Sequence, residues 1–124
     1  MNTITEEPEV TTACTPRFVQ HPAYRCLRVG DIAGFHRYGN EDEVVDLSGA
    51  DLRGIDLRKA DLRKTILRGA YLKDADLRGQ DLRHVDLEGC SIRNAKVGGV
   101  YFPANIRSEE IVMSLQHGTR LRTT

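Results

Sequence analysis

Residues 51–70 read DLRGIDLRKADLRKTILRGA, with Leu52, Leu57, Leu62 and Leu67 spaced five apart. A period of five suits neither regular element. Each residue of an α-helix advances by about 100°, so these leucines would step by about 140° and form no stripe. A continuous strand alternates every two residues. A short strand followed by a corner, then repeated, satisfies the pattern. The leucine and the residue two before it share an inner face, while Asp, Arg, Lys and Gly fill outward and corner positions.

The register extends in both directions. Its centres are Leu47, Leu52, Leu57, Leu62, Leu67, Leu72, Leu77, Leu82, Leu87, Ile92, Val97 and Phe102. The first ten, through Ile92, are the expected structural core. Two residues before the centres stand Val45, Ala50, Ile55, Ala60, Thr65, Ala70, Ala75, Gln80, Val85, Cys90, Ala95 and Val100, mostly small or apolar. Such units bury their inner side chains on one another and stack into a solenoid. Gly49, Gly69 and Gly89 recur twenty residues apart, marking one equivalent corner with a backbone angle suited to glycine. Four pentads then make one coil. The run gives about three coils and, at roughly 4.8 Å between strands, a stack about 14 Å tall. Inside it, Gln80 needs backbone partners, because an unsatisfied buried amide costs about 1–3 kcal/mol.

A solenoid end exposes unpaired backbone and an apolar cross-section, so both ends need covers. The expected organisation is a disordered tail over residues 1–15, rich in Thr and Glu, and an N-terminal helical cap over 16–44. The β-helix follows over 45–105, with a C-terminal helical cap and tail over 106–124. In the first cap Pro22 suits an initial helical turn, and Gly30-Asp31 separates two short helices. Tyr24, Leu27, Ile32 and Phe35 are its inward residues. In the second, Ser108 is the expected N-cap, Glu109 and Glu110 sit at the favourable dipole end, and Gly118 is the stop. Ile111, Val112 and Leu115 form its apolar face.

Composition narrows the function classes. The 124 residues carry 18 basic and 18 acidic side chains, so no global charge favours nucleic acid or a membrane surface. No apolar run approaches spanning length, and the N-terminus lacks the apolar region of a signal peptide. Cys14, Cys26 and Cys90 are an odd number without metal-type spacing, consistent with reduced thiols in a cytoplasm. His84 falls at a corner and Cys90 in the inner column, so they face different ways. His21, His36 and His117 read as helix-end residues. The repeating aspartates follow the repeat rather than forming a catalytic pair, and no P-loop, nucleophile elbow or zinc signature occurs. The chain is read as non-enzymatic, with no catalytic residue, metal or cofactor.

The outer columns carry the remaining information. On the face of Leu52, Leu72 and Ile92 the outward residues are Asp51, Tyr71 and Ser91 beside Arg53, Lys73 and Arg93, a net basic set with one aromatic. The face of Leu47, Leu67 and Leu87 shows Asp46, Ile66 and Asp86 beside Ser48, Arg68 and Glu88, and is net acidic. The other two mostly alternate Asp with Arg. Tyr71, flanked by Arg53, Lys73 and Arg93 with Ile66 round the corner, is the candidate partner-binding patch. Against it stands the reading that this surface only keeps the solenoid solvated.

The motif Ala-Asp-Leu-x-x, as in ADLRK from Ala60 and ADLRG from Ala75, resembles the pentapeptide-repeat family. The ending YFPANIRSEEIVMSLQHGTRLR is similar to tails of small bacterial members. The resemblance implies a mainly β fold, a right-handed quadrilateral β-helix. The leading reading of the chain is a non-catalytic interaction or scaffold protein with a protein partner, as a monomer or as a homodimer through a helical end. Some members are DNA mimics that bind type II topoisomerases. They do so as long acidic rods, which a short neutral chain does not match. Polyanion binding through the basic face is the other alternative, although neutral charge disfavours nucleic acid as a partner.

Overall fold

The computed structural model describes residues 16–38 and 44–124. The tail over residues 1–15 lies outside the described residues, and so does the end of the N-terminal cap. Two helices open the described chain, α1 (Pro22–Val29) and α2 (Ile32–Tyr38). Pro22 occupies the first turn, His21 Nδ1 accepts from Ala23 N at 3.0 Å, and Gly30 ends α1 in the left-handed region at φ 81°. Tyr24, Leu27 and Phe35 are buried, and Ile32 packs against the core from a half-buried position.

From Val45 onward the backbone pairs in parallel with the chain twenty residues later. Only β1 (Val45–Asp46) and β2 (Thr65–Ile66) are long enough to make a named sheet. The remaining pairing is single bridges: Asp51 with Tyr71 and Tyr71 with Ser91, Asp56 with Asp76 and Asp76 with Lys96, and Asp81 with Tyr101. The regular strand content is small because each side lasts barely one residue pair before the next corner. Leu47 through Leu87 at five-residue intervals are each at most 1 % exposed, and Ile92 likewise. Val97 and Phe102 are half-buried against that core.

Two repeat details explain the corners and one gap. Gly49, Gly69 and Gly89 have φ of 67°, 72° and 79°, the left-handed region that glycine enters without steric cost. At the corner of Gly54 the later coils place Asp74 and Asn94, at φ 62° and 57°, the residue types best able to replace glycine there. The gap is a missing bridge between Asp61 and Asp81. Gln80 is buried, and its Nε2 donates to Leu57 O at 2.6 Å, Arg58 O at 3.2 Å and Ala60 O at 2.7 Å. In the next coil Tyr101 N donates to Gln80 O, so Ala60 O is the carbonyl that Asp81 N would otherwise use. The side-chain amide takes it instead.

The caps close one strip from both ends. Below, Arg17 N donates to Gly49 O and Asp51 N to Arg17 O, each at 2.9 Å. Above, Leu121 alone supplies what a further coil would supply. It accepts from Gly89 N and donates to Cys90 O, both at 2.8 Å, and its side chain is fully buried. Helix α3 (Ser108–His117) lies over the adjoining face: Ser114 Oγ accepts from Ile92 N at 3.0 Å and Leu115 O from Asn94 N at 3.0 Å. The second bond satisfies one of the carbonyls that a helix C-terminus leaves unpaired.

Helix α3 differs from its sequence reading in two ways. Ser108 is the first helical residue, while Arg107 takes the N-cap position without a side-chain cap bond. Val112 is 48 % exposed rather than inward. The helix docks through Ile111 and Leu115 together with buried Glu110 and Ser114. Polar side chains can occupy that side because each meets a defined partner. Glu110 is paired by Arg122 at 2.6 Å, and Ser114 meets the Ile92 amide.

Candidate functional site

Each Asp-Leu-Arg step on the outer surface is a closed local unit. In Asp56-Leu57-Arg58 one carboxylate oxygen accepts from Arg58 N at 3.1 Å and Nε at 3.0 Å, and the other from Nη2 at 2.8 Å. Asp61–Arg63, Asp76–Arg78 and Asp81–Arg83 repeat this geometry. Coils are also linked sideways, since Arg58 Nε lies 3.3 Å from Asp76. The arginine hydrogen bonds hold the Asp61 and Asp81 carboxyls down at about 2. Apart from Asp76 these side chains are largely solvent-exposed, so each pair adds little to stability. Their effect is to leave little unpaired charge on two sides.

The face of Leu52, Leu72 and Ile92 is organised differently. Gly54 N bonds to Lys73 O and Asp74 N to Arg93 O, each at 2.9 Å, so Arg53, Lys73 and Arg93 stand in one column. Asp51 is not an open outward acid. It is buried, chelated by Arg53 at 2.8 Å and approached by Arg28 of α1 at 3.8 Å. Tyr24 of α1 donates its hydroxyl to Asp51 O at 2.9 Å, which ties the N-terminal helices to this face. Side-chain hydrogen bonds from Arg53 lower the Asp51 pKa. No ion pair reaches Lys73 or Arg93 among the described residues.

Tyr71 is not a free aromatic anchor. Its hydroxyl accepts from Arg120 Nη2 at 2.7 Å, and the Arg120 guanidinium lies 5.2 Å from the ring centre. Arg120 also donates to Gly89 O at 2.9 Å. The tail thus clasps the aromatic and adds a cation to the column. Ile66 belongs to β2 on the neighbouring side, half-buried and paired with Asp46. Sequence reasoning missed Arg28, Arg120 and Leu121. The alternation in Arg120-Leu121-Arg122, one apolar residue between two cations, spans only three residues, too few for a strand signal.

The net acidic side is partly neutralised. Arg68 pairs with Asp86 at 3.0 Å, and Glu88 accepts from Thr123 N and Oγ1 at 2.8 and 2.6 Å, a further tail contact. Cys90 is fully buried, its thiol donating to Leu67 O at 2.8 Å, and burial pushes its pKa up to about 12. Such a thiol is a poor nucleophile or metal ligand. His84 is exposed beside the Asp61–Arg63 and Asp81–Arg83 pairs. His36 Nε2 accepts from Asp61 N at 2.9 Å and covers a first-coil amide. Among the described residues no group of three or more His, Cys, Asp or Glu side chains could hold a metal ion. No helix among them is long and apolar enough to cross a membrane.

Comparison with known families matches the model described as Pentapeptide repeats, in 8 copies over residues 45–79 and 70–102. No curated protein and no solved structure is matched. The matched residues are the ones that carry the five-residue register, the buried leucines and the twenty-residue pairing. Through residues 45–102, the chain belongs to the pentapeptide-repeat family.

Proposed function

We propose that this protein is a non-catalytic interaction module whose repeat, a right-handed quadrilateral β-helix of about three coils, presents the Arg53–Lys73–Arg93 column to an acidic protein surface. The observation that carries this reading is the contrast in charge pairing. Asp–Arg units close on themselves on two sides, whereas Lys73 and Arg93 have no carboxylate partner among the described residues. Arg28 and Arg120 join the column from the two caps, and Asp51 is already taken up by Arg53. A rigid scaffold holding several cations in register favours a partner by charge complementarity and speeds its encounter. Tyr71 serves as the spacer that positions Arg120.

The basic column supports a protein partner over a nucleic acid because the cations are few and the chain is neutral overall. The same neutrality separates this chain from an acidic DNA mimic of the topoisomerase-binding kind. The test begins with partner capture from the native host and a salt titration of the captured complex. Lys73→Glu should weaken that complex at least about tenfold, while Arg63→Glu on another side leaves it within about twofold. Equal binding by both folded variants would refute the basic column as the site.

A further inference from the structure

The C-terminal end of the solenoid is closed on one half and open on the other. Leu121, Ser114 and Leu115 satisfy the last coil around Gly89–Asn94. On the two remaining sides the lower coils show what is missing. Leu57 N donates to Asp76 O, Leu77 N to Lys96 O, Gly79 N to Gly98 O and Leu82 N to Tyr101 O, at 2.8–2.9 Å. Their last-coil counterparts, Val97 N, Gly99 N and Phe102 N, meet no acceptor among the described residues. Likewise Ala75 O and Gln80 O accept from Lys96 N and Tyr101 N, while Ala95 O and Val100 O receive no such bond.

The side chains change along the same edge. The columns Asp56, Asp76 and Asp61, Asp81 end in Lys96 and Tyr101, and their arginine partners end in Gly98 and Pro103. The self-closing pairs therefore stop at this coil. Lys96 is exposed and meets no ion pair among the described residues, and Tyr101 is 61 % exposed.

We propose that this open edge, at Val97–Phe102, is a docking site for an extended acidic peptide segment of a partner protein. A segment laid on the edge and turning with it at the corner between the two sides would receive the amides of Val97, Gly99 and Phe102 and donate to Ala95 O and Val100 O. Main-chain bonds of this kind supply affinity in strand addition, and alternate side chains supply specificity. Here a carboxylate side chain meets Lys96, and an apolar one meets Tyr101. An uncovered edge of this sort is otherwise a liability that proteins blunt, as Leu121 does on the other half. This surface is separate from the Arg53–Lys73–Arg93 column and does not depend on it.

The test uses the full chain and a synthetic peptide of about ten residues alternating Val with Glu, with a Val–Lys peptide of equal length for comparison. Hydrogen exchange read by NMR should show the Val97, Gly99 and Phe102 amides protected on adding the acidic peptide. Lys96→Glu should weaken binding about tenfold or more, Tyr101→Ala should also weaken it, and Arg63→Glu should leave it unchanged. All three variants alter exposed side chains, and their thermal melts confirm folding. The proposal is overturned if the acidic peptide fails to bind or binds no better than the Val–Lys peptide. It is also overturned if binding is lost with Lys73→Glu but not with Lys96→Glu. A stable homodimer that already protects these amides in the free protein would overturn it too, by making a second copy the occupant.

Discussion

The middle and last coils are built from the same pentad and do opposite things with it. Around Leu72, Leu77 and Leu82 the amides of Leu72, Asp74, Leu77, Gly79 and Leu82 each find a carbonyl of the next coil, and Asp76–Arg78 and Asp81–Arg83 close on themselves outside. Around Ile92, Val97 and Phe102 the inner positions stay apolar, but the outer pairs are replaced and half of the edge has no next coil. Regularity in this molecule builds the stack. Departures from it mark where the stack ends or meets something else.

The largest expected effect tests the regular part. Leu77 is fully buried at the centre of the middle coil, so Leu77→Ala should destabilise by about 2–5 kcal/mol in chemical denaturation. A loss well below that range would mean that the coil interior is loosely packed. Gln80→Leu comes next. It keeps an apolar volume inside but removes the donor shared by Leu57 O, Arg58 O and Ala60 O, and should cost about 1–3 kcal/mol. A neutral result would show that Asp81 N moves in to restore the missing bridge.

Acid tests the outer pairs. Asp61 and Asp81 have pKa values lowered from 3.8 to about 2, chiefly by arginine hydrogen bonds. Because the folded values lie below the unfolded ones, their contribution is fully present above about pH 4 and is lost as pH falls through about 2. Thermal melts should therefore change little with these groups from pH 7 to 5 and fall between pH 4 and 2. Asp56, Asp76, Glu88 and Glu110 shift in the same direction and add to the slope. The smallest effect is expected for Arg78→Ala, because Arg78 is half-exposed and Arg58 remains 3.3 Å from Asp76, so the melting temperature should be almost unchanged at pH 7.

The five-residue and twenty-residue periods were legible because each inner position meets the same environment coil after coil. Periodicity reports such repeated burial directly. The fate of individual outer residues was less legible, since it depends on chain segments that carry no repeat. Asp51 sits in an outward register position, yet α1 brings Tyr24 and Arg28 over it. Tyr71 follows the same register and is clasped by Arg120, forty-nine residues later. Leu121 is one buried residue in a short polar tail, too brief for a periodic signal. Val112 shows the limit of an apolar-face reading: in α3 the docking side is shared by Glu110 and Ser114, which local composition counts as polar.

Amide hydrogen exchange of the free protein compares the two coils most directly. Leu57, Leu77, Gly79 and Leu82 amides, all within the ladder, should exchange only through unfolding and share the slowest rates. Val97, Gly99 and Phe102 should exchange faster by orders of magnitude despite their identical places in the repeat. Comparable protection of both sets in a monomer would contradict a stack that ends half-open at the last coil.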